Sequence, residues 1–232
     1  RNGSASPRLD ADDLLILPGI VDIHGDAFER QMMPRPGVDF PIDIALIETD
    51  RQIVANGITT AFHGVTWSWE PGLRGPENAR ALLENLERLR PQLAADTRFH
   101  LRHETYNLDA EAEISDWLAC RRIDVLAFND HMTMTVEALS RAGKKAEMVK
   151  RSGLSGEEFD RLVESVKRRG NEVPGSIARL AETAMTSGVP LLSHDDTDPE
   201  QRRWFRSLGC RVAEFPTTIE TTQDATSAGD DI

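Results

Sequence analysis

The chain has 232 residues, 39% hydrophobic and 28% charged, which is enough for one large domain with a substantial core and ordinary for a globular protein. A net charge of −12 argues against nonspecific nucleic-acid binding, which needs a basic face, while leaving room for a locally positive pocket that takes an anion. No apolar run spans a bilayer, residues 1–9 carry no apolar leader core, and Cys120 and Cys210 lack metal-type spacing; a cytoplasmic protein with reduced thiols and no membrane partner is the expectation.

In chain order, six apolar runs rich in β-branched residues read as buried parallel strands, each running into polar, chemically active residues. The first is Leu14-Leu15-Ile16-Leu17-Pro18, continuing through Gly19-Ile20-Val21-Asp22-Ile23 to His24. A helical pattern over 42–55 stops at Asn56-Gly57, ahead of the second run, Gly57 to His63. Residues 76–93 place Leu82, Leu83, Leu86 and Leu89 at helical spacing before the third run, Phe99 to Glu104. The fourth runs from Ile123 to His131. A charged, helical stretch over 132–173 follows; it is long for a connection and reads either as a lid over the sheet's mouth or as a surface excursion. Within it, Ser155-Gly156-Glu157-Glu158 forms a capping-box pattern opening a helix over 155–169. Helices over 175–187 and 198–208 flank the fifth run, Val189 to Asp196. The sixth is Arg211 to Thr218, and Asp231-Ile232 reads as the beginning of a seventh strand. Strands alternating with helices predict an α/β fold with a parallel sheet: a (β/α)8 TIM-type barrel, incomplete here at about six strands. Residues 1–17 lead into it and 18–232 form the partial barrel.

At the C-terminal ends of these runs stand His24 and Asp26, His103 and Glu104, Asn129, Asp130 and His131, His194, Asp195 and Asp196, and Thr217 and Thr218. In such barrels that end holds the active site. Imidazole and carboxylate together suit Zn or Mn. In His24-Gly25-Asp26 the alternation of a strand aims two ligand types at one point, with Gly25 leaving room between them. Blander readings stand beside these. His63 and His100 read as bystanders, and His103 as a hydrogen-bonded core residue. Glu104 pairs equally well with Arg102 or Arg35. Asp198 reads as a helix cap, whereas His194 reads as functional. Trp67, Trp69 and Trp204 read as packing.

The segment Leu17-Pro18-Gly19-Ile20-Val21-Asp22-Ile23-His24-Gly25-Asp26 resembles the entry strand of the amidohydrolase superfamily. With Pro34-Arg35-Pro36-Gly37-Val38, Arg102-His103-Glu104, Phe128-Asn129-Asp130-His131, Ser193-His194-Asp195-Asp196-Thr197 and Glu214-Phe215-Pro216-Thr217-Thr218, it resembles the diphosphatases of phosphonate metabolism that act on α-D-ribose 1-methylphosphonate 5-triphosphate. The resemblance implies a metal-dependent (β/α)8 barrel, its small β-sandwich of the chain ends missing here, that releases pyrophosphate from a small phosphorylated ribose. It implies His24, Asp26, Glu104 and His194 as ligands of one or two divalent ions, zinc first, with manganese or iron as alternatives. Asp130 and His131 become the catalytic pair for proton transfer; Arg35, Arg102, Thr217 and Thr218 become substrate contacts; a homo-oligomer is compatible. Met132-Thr133-Met134-Thr135 departs from the Thr-Pro-Gly-Gln-like turn of the family, which puts substrate identity in question, and the strand-eight Asp that serves as base there has no counterpart in this sequence. Two alternatives remain: hydrolysis of a C–N bond, as in a deacetylase or deaminase, and a catalytically inactive barrel acting as a binding protein.

Overall fold

The computed structural model describes residues 10–35, 37–139 and 142–232; the leader expectation on 1–9 and Pro36 of the Pro34–Val38 motif lie outside them. Six strands, β1 (Ile20–Gly25), β2 (Ile58–Trp67), β3 (Asp96–Glu104), β4 (Val125–Asn129), β5 (Leu191–His194) and β6 (Val212–Glu214), form one all-parallel sheet in sequential order. Ten helices lie among the described residues: α1 (Ala27–Met32), α2 (Ile42–Ala55), α3 (Pro76–Leu89), α4 (Glu111–Ala119), α5 (Met132–Leu139), α6 (Ala142–Ser152), α7 (Gly156–Lys167), α8 (Val173–Ser187), α9 (Pro199–Ser207) and α10 (Ile219–Ser227). None is long and apolar enough to cross a membrane.

The sheet is a curled half-barrel, which corrects the expected (β/α)8 barrel. Closure requires strand number, tilt and stagger to match, and among the described residues the ladder runs from β1 to β6 and is continued by a parallel bridge from Val212 to Asp231. At the β1 edge, Ile20, Val21 and Ile23 are exposed for that reason. The first strand is also shorter than the apolar run suggested. Leu14, Leu15, Ile16 and Leu17 lie exposed outside it.

The core lies between the outer face of the sheet and the helices. Val65, Trp67, Phe99, Leu101, Leu126, Phe128 and Leu191 pack against Leu83 and Leu86 of α3, Ile114 and Leu118 of α4, and Ile177 and Leu180 of α8. Side chains alternate along a strand, so Arg102, Glu104, Asn129, His194 and Glu214 take the other, concave face. Helix ends follow local chemistry. Pro91 leaves α3 a single 3-10 turn beyond Leu89. Ser155 and Glu158 form the reciprocal capping box at α7. Asp198 caps α9 by accepting from the amides of Glu200 and Gln201 at 2.8 and 2.9 Å.

Candidate metal centre

Parallel register sets the site. Glu104 of β3 pairs with Asn129 of β4, Asn129 with His194 of β5, and His194 with Glu214 of β6, so four strand ends finish level. Both β5 and β6 then turn through a left-handed residue, Asp195 (φ 58°) and Phe215 (φ 55°). The amide of Asp195 bonds the carbonyl of Glu214 at 2.9 Å and locks the two turns together.

Two groups of ligand-type atoms converge, each within 4.8 Å: His24 with His194 and Glu214, and His131 with His194 and Asp195. His24 Nδ1 donates to Glu214 Oε1 at 3.1 Å. The His24 and His194 rings lie 5.1 Å apart, and Phe215 stands nearly perpendicular to both. Gly64 leaves room for Arg102: a Cβ there would meet Arg102 Cδ at 3.2 Å, while His24 Nε2, at 3.9 Å, would be in ordinary contact. Arg102 is buried beneath the site, where it donates to His194 Nε2 at 3.2 Å and to the Asn129 side-chain oxygen at 3.2 and 3.3 Å. Burial, then the charge of Arg74, pulls its pKa down.

On the far side of His194, His131 Nδ1 donates to Glu104 Oε1 at 2.8 Å and Nε2 to Asp195 Oδ2 at 3.1 Å. Burial works against charge on this ring, but the bonds to Asp195 and Glu104 outweigh it and push its pKa up to about 9. The same bonds hold Glu104 and Asp195 below the usual carboxylate range, again against burial. Burial moves Asp130 the other way, upward.

The donor set fits a divalent cation. Two imidazoles and a carboxylate are zinc and manganese ligands. His100 Nε2 and Glu214 Oε2 are buried with no hydrogen-bond partner among the described residues, and a buried polar atom without a partner is costly; His194 Nδ1 lies 3.0 Å from Asp195 Oδ2. The two groups share His194, an arrangement able to hold one ion or two.

Of the expected site residues, the structure brings His24, Glu104, His131 and His194 together, with Asp130 beside them and Arg102 below. Asp26 is exposed at the start of α1 and belongs to neither converging group. Arg35 is exposed and forms an isolated backbone bridge with Val38. Thr217 ties its loop to the carbonyl of Asp196, and Thr218 caps α10. Glu214 is the residue that sequence reasoning passed over. Its signal was present, because it lies two residues after Val212 on the face opposite Ala213, but the polar strand end was placed at Thr217 and Thr218. His63 and His103 face the helices, while His100, expected to be a bystander, has its Nε2 3.7 Å from Glu214 Oε2.

No protein-family profile matches the chain. Over 95% of its length the chain is 25% identical to the α-D-ribose 1-methylphosphonate 5-triphosphate diphosphatase of Escherichia coli (strain K12), and it spans 60% of that protein.

Proposed function

We propose that this chain carries part of a metal-dependent hydrolase that releases pyrophosphate from a ribose 5-triphosphate bearing a 1-methylphosphonate. The observation that carries the reading is the convergence of His24, His194 and Glu214 from three strand ends; the similarity to a protein named for that activity supports it. A bound divalent cation would lower the pKa of water toward neutrality and offset phosphoryl charge. Glu214 orients the His24 ring through Nδ1, and Arg102 fixes His194 through Nε2. His131, clamped by Glu104 and Asp195, holds a proton for the leaving pyrophosphate oxygen. Phe215 covers the outer side of both imidazoles and limits water there.

One observation favours a second reading, C–N bond hydrolysis. The cleft beside His131 is not basic, since Glu70 and Glu104 face Arg74 there. The two readings separate in one assay of pyrophosphate release from a panel of ribose 5-triphosphates, the 1-methylphosphonate included, with an N-acetyl amino acid as control. The expected result is release that falls at least a hundredfold in His24→Ala and His194→Ala, given that even outer-shell partners of metal ligands cost about 10–100-fold. Turnover of the amide without pyrophosphate release would move the function to the second reading.

A further inference from the structure

The cleft beside His131 has a volume of about 60 Å³. That is room for a few water-sized groups, and its walls mix donors with acceptors. Arg74, on the loop between β2 and α3, supplies a cation, yet its Nε and Nη2 are bonded bidentately to Glu29 at 3.1 and 3.0 Å, which leaves Nη1 outside that pair. Thr66 is 4% exposed, lines the cleft, and its hydroxyl has no hydrogen-bond partner among the described residues. Glu70 and Glu104 also line the cleft with two carboxylates. Arg74 and protonated His131 balance these two charges, so a polyphosphate, which offers only acceptors and negative charge, finds no net positive field there. A vicinal diol offers both: its hydroxyls donate to carboxylate oxygen and accept from Thr66 Oγ1 and Arg74 Nη1.

We infer that this cleft receives the adjacent hydroxyl-bearing carbons of a sugar ring, and that the phosphates of the substrate lie outside it, on the His24 and His194 side. The inference rests on the proposed hydrolase reading and adds to it a subsite for the sugar. It also reconciles a cleft without net positive charge with a phosphorylated substrate.

The test is calorimetric binding of D-ribose 5-phosphate, 2-deoxy-D-ribose 5-phosphate and inorganic pyrophosphate to the Mn²⁺-loaded protein, its Thr66→Val variant and its Thr66→Ser variant. Valine matches threonine in shape and removes a buried hydroxyl that has no partner, so the fold is retained. The expected result is roughly tenfold preference for ribose over deoxyribose 5-phosphate in the parent, the size of one lost hydrogen bond to a charged group. The preference collapses in Thr66→Val and survives in Thr66→Ser, while pyrophosphate affinity stays level. Equal affinity for the two sugars in the parent, or loss of pyrophosphate binding in Thr66→Val, would overturn the subsite alone. Failure of all three probes to bind would overturn the hydrolase reading and the subsite with it.

Discussion

Phe215 holds a backbone conformation that a bulky L residue adopts only under constraint, with φ at 55°. Asp195 does the same one strand earlier at 58°, where a short polar side chain tolerates it better. Left-handed backbone costs a non-glycine residue roughly 1–2 kcal/mol, and such strain collects where a fold holds functional groups in place. Phe215 is 58% exposed, so core burial does not compensate; its ring contacts with His24 and His194 do so in part. Comparing Phe215→Gly with Phe215→Ala isolates the backbone term, because both remove the ring. The glycine variant is expected to be more stable by about 1 kcal/mol, seen as a melting temperature higher by about 2–4 °C; equal melting temperatures would remove the strain argument. Most ligand-type residues were readable in the sequence because they directly follow apolar runs, as His24, Glu104, His131 and His194 do. Asp26 falls outside the converging groups for a physical reason. The strand ends at Gly25 and the chain turns into α1, so the alternation that would have aimed Asp26 beside His24 stops one residue short.

At the scale of elements, α9 is tied to the site by one buried cation. Arg202 is fully buried and bonds Ser193, Asp196, the carbonyl of Cys210, and Asp230 at the end of α10. Asp196 in turn accepts from Ser193 at 2.6 Å, and its carbonyl receives the amide of Thr217. This knot fixes the turn that carries His194 and Asp195. Replacing Arg202 with Met strands Asp196 as a buried charge, and breaking a buried pair from one side costs about 3–5 kcal/mol. Urea unfolding is expected to show a loss of that size; a change under about 1 kcal/mol would mean that the network contributes little. Sequence patterning could not reveal this device, because an arginine on an amphipathic helix reads as solvated. The helices themselves were easier. Residues 42–55 and the Ser155–Glu158 cap match the structure, since apolar spacing and capping are local signals. The helices α1, α4 and α10 were not anticipated; α1 has too few turns to show a period, and α4 and α10 lack the Asp-Pro start signal that marks α9, which has the same length.

Across the whole molecule, strand–helix alternation gave the α/β class and the parallel sheet, but closure depends on stagger between distant strands, which no local pattern encodes. Burial of histidines gives the molecule an acid limit. His63 and His103 face the helix layer, and burial pulls each pKa from 6.5 to about 4, against the charges of Asp22 and Asp50 on His63 and of Glu104 and Glu111 on His103. Because the folded value lies below the unfolded one, the unfolded chain takes up protons first. The contribution of these two histidines is therefore full above pH 6.5 and declines as pH falls from 6.5 toward 4, by about 3 kcal/mol for each. Urea midpoints at pH 7, 6 and 5 should decline in that order, and by about half as much in His63→Leu, where His103 remains; a level series in the parent would contradict the burial account. The claim on which the function stands is the convergence of His24, His194 and Glu214, and calorimetric titration of Mn²⁺ into the metal-free protein, His194→Ala and His63→Ala tests it most directly. The account predicts saturable binding by the parent and His63→Ala, and at least tenfold weaker binding by His194→Ala. Absence of binding in the parent, or equal binding in all three, would contradict it.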